Sequence, residues 1–219
     1  MSSRAVKVLR ERIIEWYSAH GDYWLPWRLR SDAWSILLAG VLLRNTTVKQ
    51  VLGVYSTLIE KYPSPASMET ARIEEIKELI RPLGMQHTRA PLLVELAKTI
   101  TAKYRGVIPC NLEDLLSLPG IGAYTASEIL LAACNQPVLL IDRNFIRVVY
   151  RVLGFKPKKN NPYKDAEYYA LAKKLVPSNI KRAKKFNYGI FDFARKVCKA
   201  RGPKCVICSL RDICAASLA

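Results

Sequence analysis

The helical spacing of apolar residues most constrains the fold of this 219-residue chain. Apolar side chains recur every three to four residues, as at Val6, Leu9, Ile13 and Ile14, and most such stretches end at a glycine or proline. The short run 138–141 is compatible with a β-strand, but a single strand cannot form a sheet. Since no run of 18 apolar residues occurs, we expect no membrane span. The pattern predicts an all-α protein built from short, compactly packed helices.

Positive charge is abundant and unevenly distributed. The chain carries 35 Lys and Arg against 18 Asp and Glu, a formal net charge of +17. Residues 1–138 hold 16 basic and 13 acidic side chains, whereas residues 139–219 hold 19 basic and 5 acidic ones. One basic run is usually a solvated face, but an excess over the last third of a chain, interleaved with aromatic residues, favours a phosphate-facing surface. The partner is therefore expected to be a polyanion.

Four of the six cysteines crowd the C-terminus with the spacing C-x6-C-x2-C-x5-C. The N-terminus lacks a signal-peptide core, so we expect a cytoplasmic protein and disfavour a disulfide framework. A [4Fe–4S] cluster fits one tight loop better than zinc, which usually takes two separated C-x2-C pairs; zinc and no metal remain the alternatives. Cys110 and Cys134 are interpreted as buried, apolar residues. The four clustered cysteines are Cys198, Cys205, Cys208 and Cys214.

A second motif, Leu118-Pro-Gly-Ile-Gly122, lies between two predicted helices. Gly120 and Gly122 allow a very tight turn and expose backbone N–H groups where the second helix begins. Such a helix N-terminus binds phosphate without the help of a specific side chain. The motif predicts a contact with a nucleic-acid backbone.

Together, these motifs resemble the endonuclease III family of DNA glycosylases, in the helix-hairpin-helix superfamily. The cysteine spacing is similar to its iron–sulfur loop, and the segment that begins Ile141-Asp142 is similar to its V-D-x-x-x-x-R-V motif. The resemblance implies two lobes: a six-helix barrel lobe at 28–138 with the hairpin, and a second lobe of 1–27 and 139–219 with the [4Fe–4S] loop. It also implies a cytoplasmic, nucleoid-associated prokaryotic enzyme. Because no coiled-coil pattern occurs, we expect a monomer.

The resemblance assigns roles to particular residues. Asp142 takes the catalytic role, which is compatible with capping the helix that follows it. Backbone carbonyls of the hairpin would hold a monovalent cation that bridges to DNA. Three cations between the first two clustered cysteines are expected to contact phosphate. The carbonyls belong to Leu116, Leu118 and Ile121, and the cations are Lys199, Arg201 and Lys204.

Two positions distinguish branches of the family. Bifunctional members carry Lys where this chain has Tyr124, and tyrosine cannot form a Schiff base. Adenine glycosylases carry Glu where this chain has Gly40. The hairpin with Tyr124 and the stretch Leu42-Leu-Arg-Asn-Thr-Thr47 resemble mismatch glycosylases that remove thymine or uracil opposite guanine and leave an abasic site. Adenine removal, action on oxidised pyrimidines and a non-catalytic iron–sulfur DNA-binding protein are the alternatives.

Several residues are predicted to contact DNA containing the mismatched base. Tyr124 would line the base pocket, or else pack the hairpin as an ordinary aromatic residue. Met85 would fill the gap left by a flipped base, or else fill the core, and both interpretations stay open. The other residues predicted to contact DNA are Arg44, Asn45, Gln86 and His87.

Overall fold

The structure is a computed structural model that describes residues 3–218. These residues form α-helices, short 3₁₀ turns and loops without a β-strand, so the all-α prediction is confirmed. No described helix is long and apolar enough to cross a membrane. The α-helices, in chain order, are α1 Ser3–His20, α2 Ala33–Leu42, α3 Val48–Lys61, α4 Pro65–Glu69, α5 Ile73–Ile80, α6 Gln86–Tyr104, α7 Leu112–Ser117, α8 Ala123–Ala132, α9 Arg143–Leu153, α10 Ala166–Lys173, α11 Ile180–Lys196 and α12 Ala215–Leu218. The 3₁₀ turns are Pro26–Arg28, Arg81–Leu83, Pro162–Lys164, Cys205–Ile207 and Arg211–Ile213.

The chain divides into two compact units. Unit 1 comprises Met1–Asp22 and Asn135–Ala219, and unit 2 comprises Tyr23–Cys134. The division falls close to residue 138, where the charge of the sequence changes. Unit 1 contains α1 and α9 to α12, and unit 2 contains α2 to α8.

The core of unit 1 forms where α1 and α9 pack against α11. Fully buried side chains from the three helices meet there, among them Leu9, Phe145 and Phe193. Each such side chain stabilises the fold by about 1.5–3 kcal/mol through the apolar surface removed from water. The backbones of α1 and α11 approach closely at Gly189, where an added methyl group would lie 3.1 Å from the Ile13 carbonyl oxygen.

The run 138–141 belongs to neither a helix nor a sheet, and side chains satisfy its backbone groups. The buried Asn187 accepts a hydrogen bond from the Leu140 N–H at 2.8 Å and donates to the Val138 carbonyl at 3.0 Å. The Tyr163 hydroxyl accepts from the Ile141 N–H at 2.9 Å. These hydrogen bonds take the place of those from a neighbouring strand and fix the position of the backbone just before Asp142.

In unit 2, α2 is buried from Trp34 to Leu42 and packs against α3 and α8. Its N-terminus is capped by Asp32, whose carboxylate accepts from the Ser35 N–H at 2.8 Å. The long helix α6 packs on α4 and α5. Helices α7 and α8 are in contact and are joined by the hairpin turn that contains Gly120.

The interpretation of Cys110 and Cys134 as buried, unpaired residues is wrong. They form a disulfide with a Cα–Cα distance of 5.7 Å. Cys110 is exposed and Cys134 is half-buried. The reason is topological: Cys110 precedes α7 and Cys134 follows α8, and the hairpin between these helices brings together two residues 24 positions apart. Neither cysteine belongs to a motif, so their spacing alone gives no sign of the bond.

Candidate functional site

Asp142 is the N-cap of α9 in unit 1, in agreement with the capping role predicted for it. Its Oδ1 accepts from the Phe145 N–H at 2.8 Å, and its Oδ2 accepts from the Asn144 side-chain amide at 2.7 Å. The residue is half-buried. Both carboxylate oxygens therefore have defined partners, and the group has one orientation.

Arg147, for which the sequence pattern predicted no role, holds the Asn144 side chain in place. The Arg147 guanidinium donates to Asn144 Oδ1 at 3.0 Å and to the carbonyls of Ala194 and Cys198, at 3.1 and 3.0 Å. Arg147 thus links the end of α11 and the first clustered cysteine to the amide that positions Asp142. Arg147 is the arginine of the V-D-x-x-x-x-R-V pattern, a signal that could have revealed this role.

Burial governs the ionisation of Asp142. Desolvation raises the pKa of its carboxyl above the ordinary value, although hydrogen bonds from Phe145 and Asn144 and the charge of Arg147 act in the opposite direction. Because the folded-state pKa is raised, the ionised carboxylate destabilises the fold as pH increases through that pKa. A carboxylate kept in such an environment is typical of functional sites.

The C-terminal loop of unit 1 brings the four clustered cysteines together. Cys198 is buried at the end of α11, Cys208 and Cys214 are half-buried, and Cys205 is exposed. The other three sulfurs act on Cys208 electrostatically, and with burial as the larger cause they raise the pKa of its thiol. Arg151 donates to the Cys198 sulfur at 3.5 Å. The four thiols therefore converge on one region of the loop.

The chemistry of the donors is that of an iron–sulfur cluster, which takes four thiolates, and the side chains present supply that number. Among the described residues, no group of three or more His, Cys, Asp or Glu side chains is arranged to hold a metal ion. Lys199, Arg201 and Lys204 are exposed on the same loop.

The hairpin of unit 2 has the geometry expected of a phosphate site. Gly120 has φ +70°, and an added methyl group would lie 2.7 Å from the side chain of Leu92, so glycine is required by both conformation and space. Gly122 is the N-cap of α8 and, as a glycine, provides no side-chain cap for this helix. Its first N–H groups point outward from a helix N-terminus, where the helix dipole favours an anion.

Two strained turns in unit 2 carry residues predicted to contact DNA. Asn45 and Met85 both adopt positive φ, at 57° and 54°, which non-glycine residues seldom do. Met85 is 57% exposed, which excludes the core-filling alternative. The buried Arg89 lies in the first turn of α6, just after Met85, and donates to the Arg44 carbonyl at 2.8 Å. It therefore links the two turns. The Arg44 guanidinium donates to the Gly120 carbonyl, which connects these turns to the hairpin.

The remaining predicted residues of unit 2 lie on α6 and α8. His87 is exposed and Gln86 half-buried at the start of α6, and their side chains are in contact at 3.4 Å. Tyr124 is half-buried in the first turn of α8. Glu128, a carboxyl of α8 that is 5% exposed, was not predicted as a site residue. An acidic residue inside an otherwise uncharged helix was the available signal.

Comparison with known proteins places the chain among DNA repair enzymes. Residues 38–177 match a family described as "HhH-GPD superfamily base excision DNA repair protein". A thymine-DNA glycosylase of Aeropyrum pernix is 52% identical over 95% of this chain and 94% of that protein. A thymine/uracil-DNA glycosylase of Pyrobaculum aerophilum is 50% identical over 93% of this chain and 88% of that protein. The solved structure of a thermostable thymine-DNA glycosylase has a TM-score of 0.90 at 31% identity, over 98% of this chain and 97% of the other.

Proposed function

The chain belongs to the HhH-GPD superfamily of base excision DNA repair proteins, and on this basis we propose that it removes thymine or uracil mispaired with guanine. It is a DNA N-glycosylase, and relatives that are half identical over nearly the whole chain act on these two bases. The observation that carries the proposal is the geometry of Asp142, a half-buried carboxylate with both oxygens positioned.

Asp142 acts on the sugar. As the C1′–N1 bond breaks, positive charge develops on the sugar ring and negative charge on the leaving pyrimidine. The ionised carboxylate stabilises the sugar cation and accepts a proton from the water that adds to C1′, which leaves an abasic site. A charge that is already oriented in a partly desolvated site stabilises the transition state more than the same charge in water does. The relay from Asn144 and Arg147 supplies that orientation.

The protein binds double-stranded DNA, and both units offer surfaces suited to it. The hairpin N-terminus of α8 and the exposed cations of the cysteine loop contact backbone phosphates. A monovalent cation at the hairpin carbonyls would add to this contact. Met85 fills the space left by the flipped base, and a mismatched base is cheaper to flip than a paired one. We also propose that the protein works as a cytoplasmic, nucleoid-associated monomer of a prokaryote. A dimer in size-exclusion chromatography would contradict the monomer.

The glycosylase is proposed to be monofunctional. Formation of a Schiff base needs an amine nucleophile, and Tyr124 offers only a phenol at the hairpin position where bifunctional relatives carry lysine. Tyr124 instead lines the base pocket.

The test is a labelled duplex with a single G:T or G:U pair, incubated with purified protein. We expect strand breaks only after hot alkali, because an abasic site is stable until base cleaves it. Duplexes with A:G or an oxidised pyrimidine serve as controls for the alternative substrates. Breaks without alkali, together with a borohydride-trapped adduct, would contradict the monofunctional assignment. Binding without base release from any duplex would indicate a non-catalytic DNA-binding protein.

We propose that the four clustered cysteines hold a [4Fe–4S] cluster. When bound, the cluster would stabilise the loop and take no part in base removal. Anaerobically purified protein should be brown and contain about four irons per chain. Cys208→Ser should lose most of the iron, because it removes a ligand, whereas Cys110→Ser should retain it. One zinc per chain without colour would contradict the cluster.

A further inference from the structure

One buried carboxyl of unit 2 has no role in the mechanism above. Glu128 lies on α8, is 5% exposed, and its Oε2 has no hydrogen-bond partner among the described residues. Burying a polar atom without a partner is unfavourable. Unpaired groups of this kind in native structures call for an explanation, and a catalytic role is one of the few available.

Gly40 of α2 leaves room for this carboxyl. A methyl group added at Gly40 would come 3.3 Å from Glu128 Oε2 and 2.8 Å from Thr125 Cγ2. An added side chain would therefore clash with Thr125 first and would also crowd the Glu128 carboxylate. Glycine in the interior of a helix makes the helix less stable than alanine does. Gly40 therefore leaves room for the carboxyl at a cost in the stability of α2.

Few charges surround the carboxyl. Helix α2, which packs against α8, carries no titratable residue. On α7, Glu113 is exposed and Asp114 accepts a hydrogen bond from a tyrosine hydroxyl. Tyr55 of α3, whose field also reaches the carboxyl, donates its hydroxyl to a backbone carbonyl. Arg28 attracts the ionised form, but burial is the larger effect and raises the pKa of Glu128 to about 7.

The carboxyl also lies next to residues proposed to contact the substrate. Glu128 shares a helix face with Tyr124, which precedes it by four positions. Gly40 lies about one helical turn before Arg44, whose side chain is bonded to the hairpin carbonyl of Gly120. The residues that we assign to base and DNA binding therefore lie about one turn along the chain from both Glu128 and Gly40.

We propose that Glu128 is a second catalytic carboxyl, which in its protonated form donates its proton to a carbonyl oxygen of the departing pyrimidine. This inference rests on the proposed function. When the C1′–N1 bond breaks, the bonding electron pair leaves with the base, and the Glu128 proton neutralises the negative charge on the base oxygen. Water then adds to C1′ and gives a proton to Asp142. Exchange with solvent returns Glu128 to its protonated form and Asp142 to its ionised form.

The test is the pH dependence of single-turnover uracil release from a G:U duplex. Because the proposed step requires a protonated Glu128, the wild-type rate should fall about tenfold for each pH unit above about pH 7. Glu128→Gln has the same shape but no transferable proton. We expect it to lower the rate at about pH 6 roughly 100-fold and to remove the fall at higher pH. The matched control is Ser127→Ala, a buried neighbour on α8, which should keep the wild-type rate and profile.

A second variant checks the geometry. Gly40→Ala should push Thr125 aside and shift the carboxyl by a few tenths of an ångström, so it should lower the rate less than Glu128→Gln does. That effect should be much smaller in the Glu128→Gln background. Thermal unfolding of each variant confirms that the fold is retained. If the wild type releases uracil and Glu128→Gln keeps its rate and pH profile, the carboxyl is structural and this inference is overturned. If the wild type releases neither uracil nor thymine, the proposed function fails and the inference fails with it.

Discussion

Replacing Asp142 by asparagine should lower the rate of thymine or uracil release about 1,000-fold while the protein stays folded and bound to DNA. Asparagine can still cap α9, because its amide oxygen accepts from the Phe145 N–H as the carboxylate does. What the substitution removes is the negative charge that stabilises the sugar cation. Since burial raises the pKa of Asp142, its ionised carboxylate lowers the stability of the folded wild type near neutral pH. The variant should therefore be at least as stable as the wild type.

The matched control is Asp165→Asn, the same change at a second helix N-cap of unit 1. Asp165 caps α10, and its Oδ2 also accepts a hydrogen bond from the Lys158 N–H at 2.6 Å. Hydrogen bonds to backbone N–H groups lower the pKa of this carboxyl, so its charge stabilises the folded state above its unfolded pKa. Asp165→Asn should lose stability and keep its glycosylase rate. Single-turnover assays and urea unfolding measure both quantities, and an Asp142→Asn enzyme with the wild-type rate would refute the mechanism.

Loss of the Cys110–Cys134 disulfide should lower the free energy of unfolding by about 3.5 kcal/mol, the amount by which a loop of this length restricts the unfolded chain. The bond joins the two ends of the α7–α8 hairpin, so its removal should act most strongly on those helices. Urea unfolding of the wild type with and without reductant measures the difference. Hydrogen exchange in α7 and α8 should rise when the bond is reduced.

The control for the disulfide is the double variant Cys110→Ser with Cys134→Ser. It should be as unstable as the reduced wild type, and reductant should have no further effect on it. This comparison separates the disulfide from any effect of reductant on the four C-terminal cysteines. An oxidised wild type no more stable than the double variant would show that the bond contributes nothing to the folded state.

Local patterns in the sequence were sufficient to predict the helices, the hairpin turn and the cap of α9. Periodicity predicted the helices, and the hairpin motif predicted the tight turn at Gly120, where both φ and the nearby Leu92 require glycine. The acidic residue before α9 was predicted as a cap because capping depends on residues three positions apart. These features are set by interactions between near neighbours in the chain, which a sequence displays directly.

Other features needed the tertiary structure, because they depend on residues far apart in the chain. Arg147 reaches Ala194 and Cys198 across about 50 positions, and Asn187 takes the place of a strand partner for residues 138–141.

By itself, the sequence determined the helical class, the basic character of the last third, the hairpin and the four-cysteine loop. Each of these is a property of composition or of short-range spacing. Only the tertiary structure paired Cys110 with Cys134, exposed Met85 and placed the buried carboxyl of Glu128 opposite Gly40. The physical reason is that burial and side-chain contact arise from helix packing, which brings together residues far apart in the chain, such as Gly40 with Glu128 and Ile13 with Gly189.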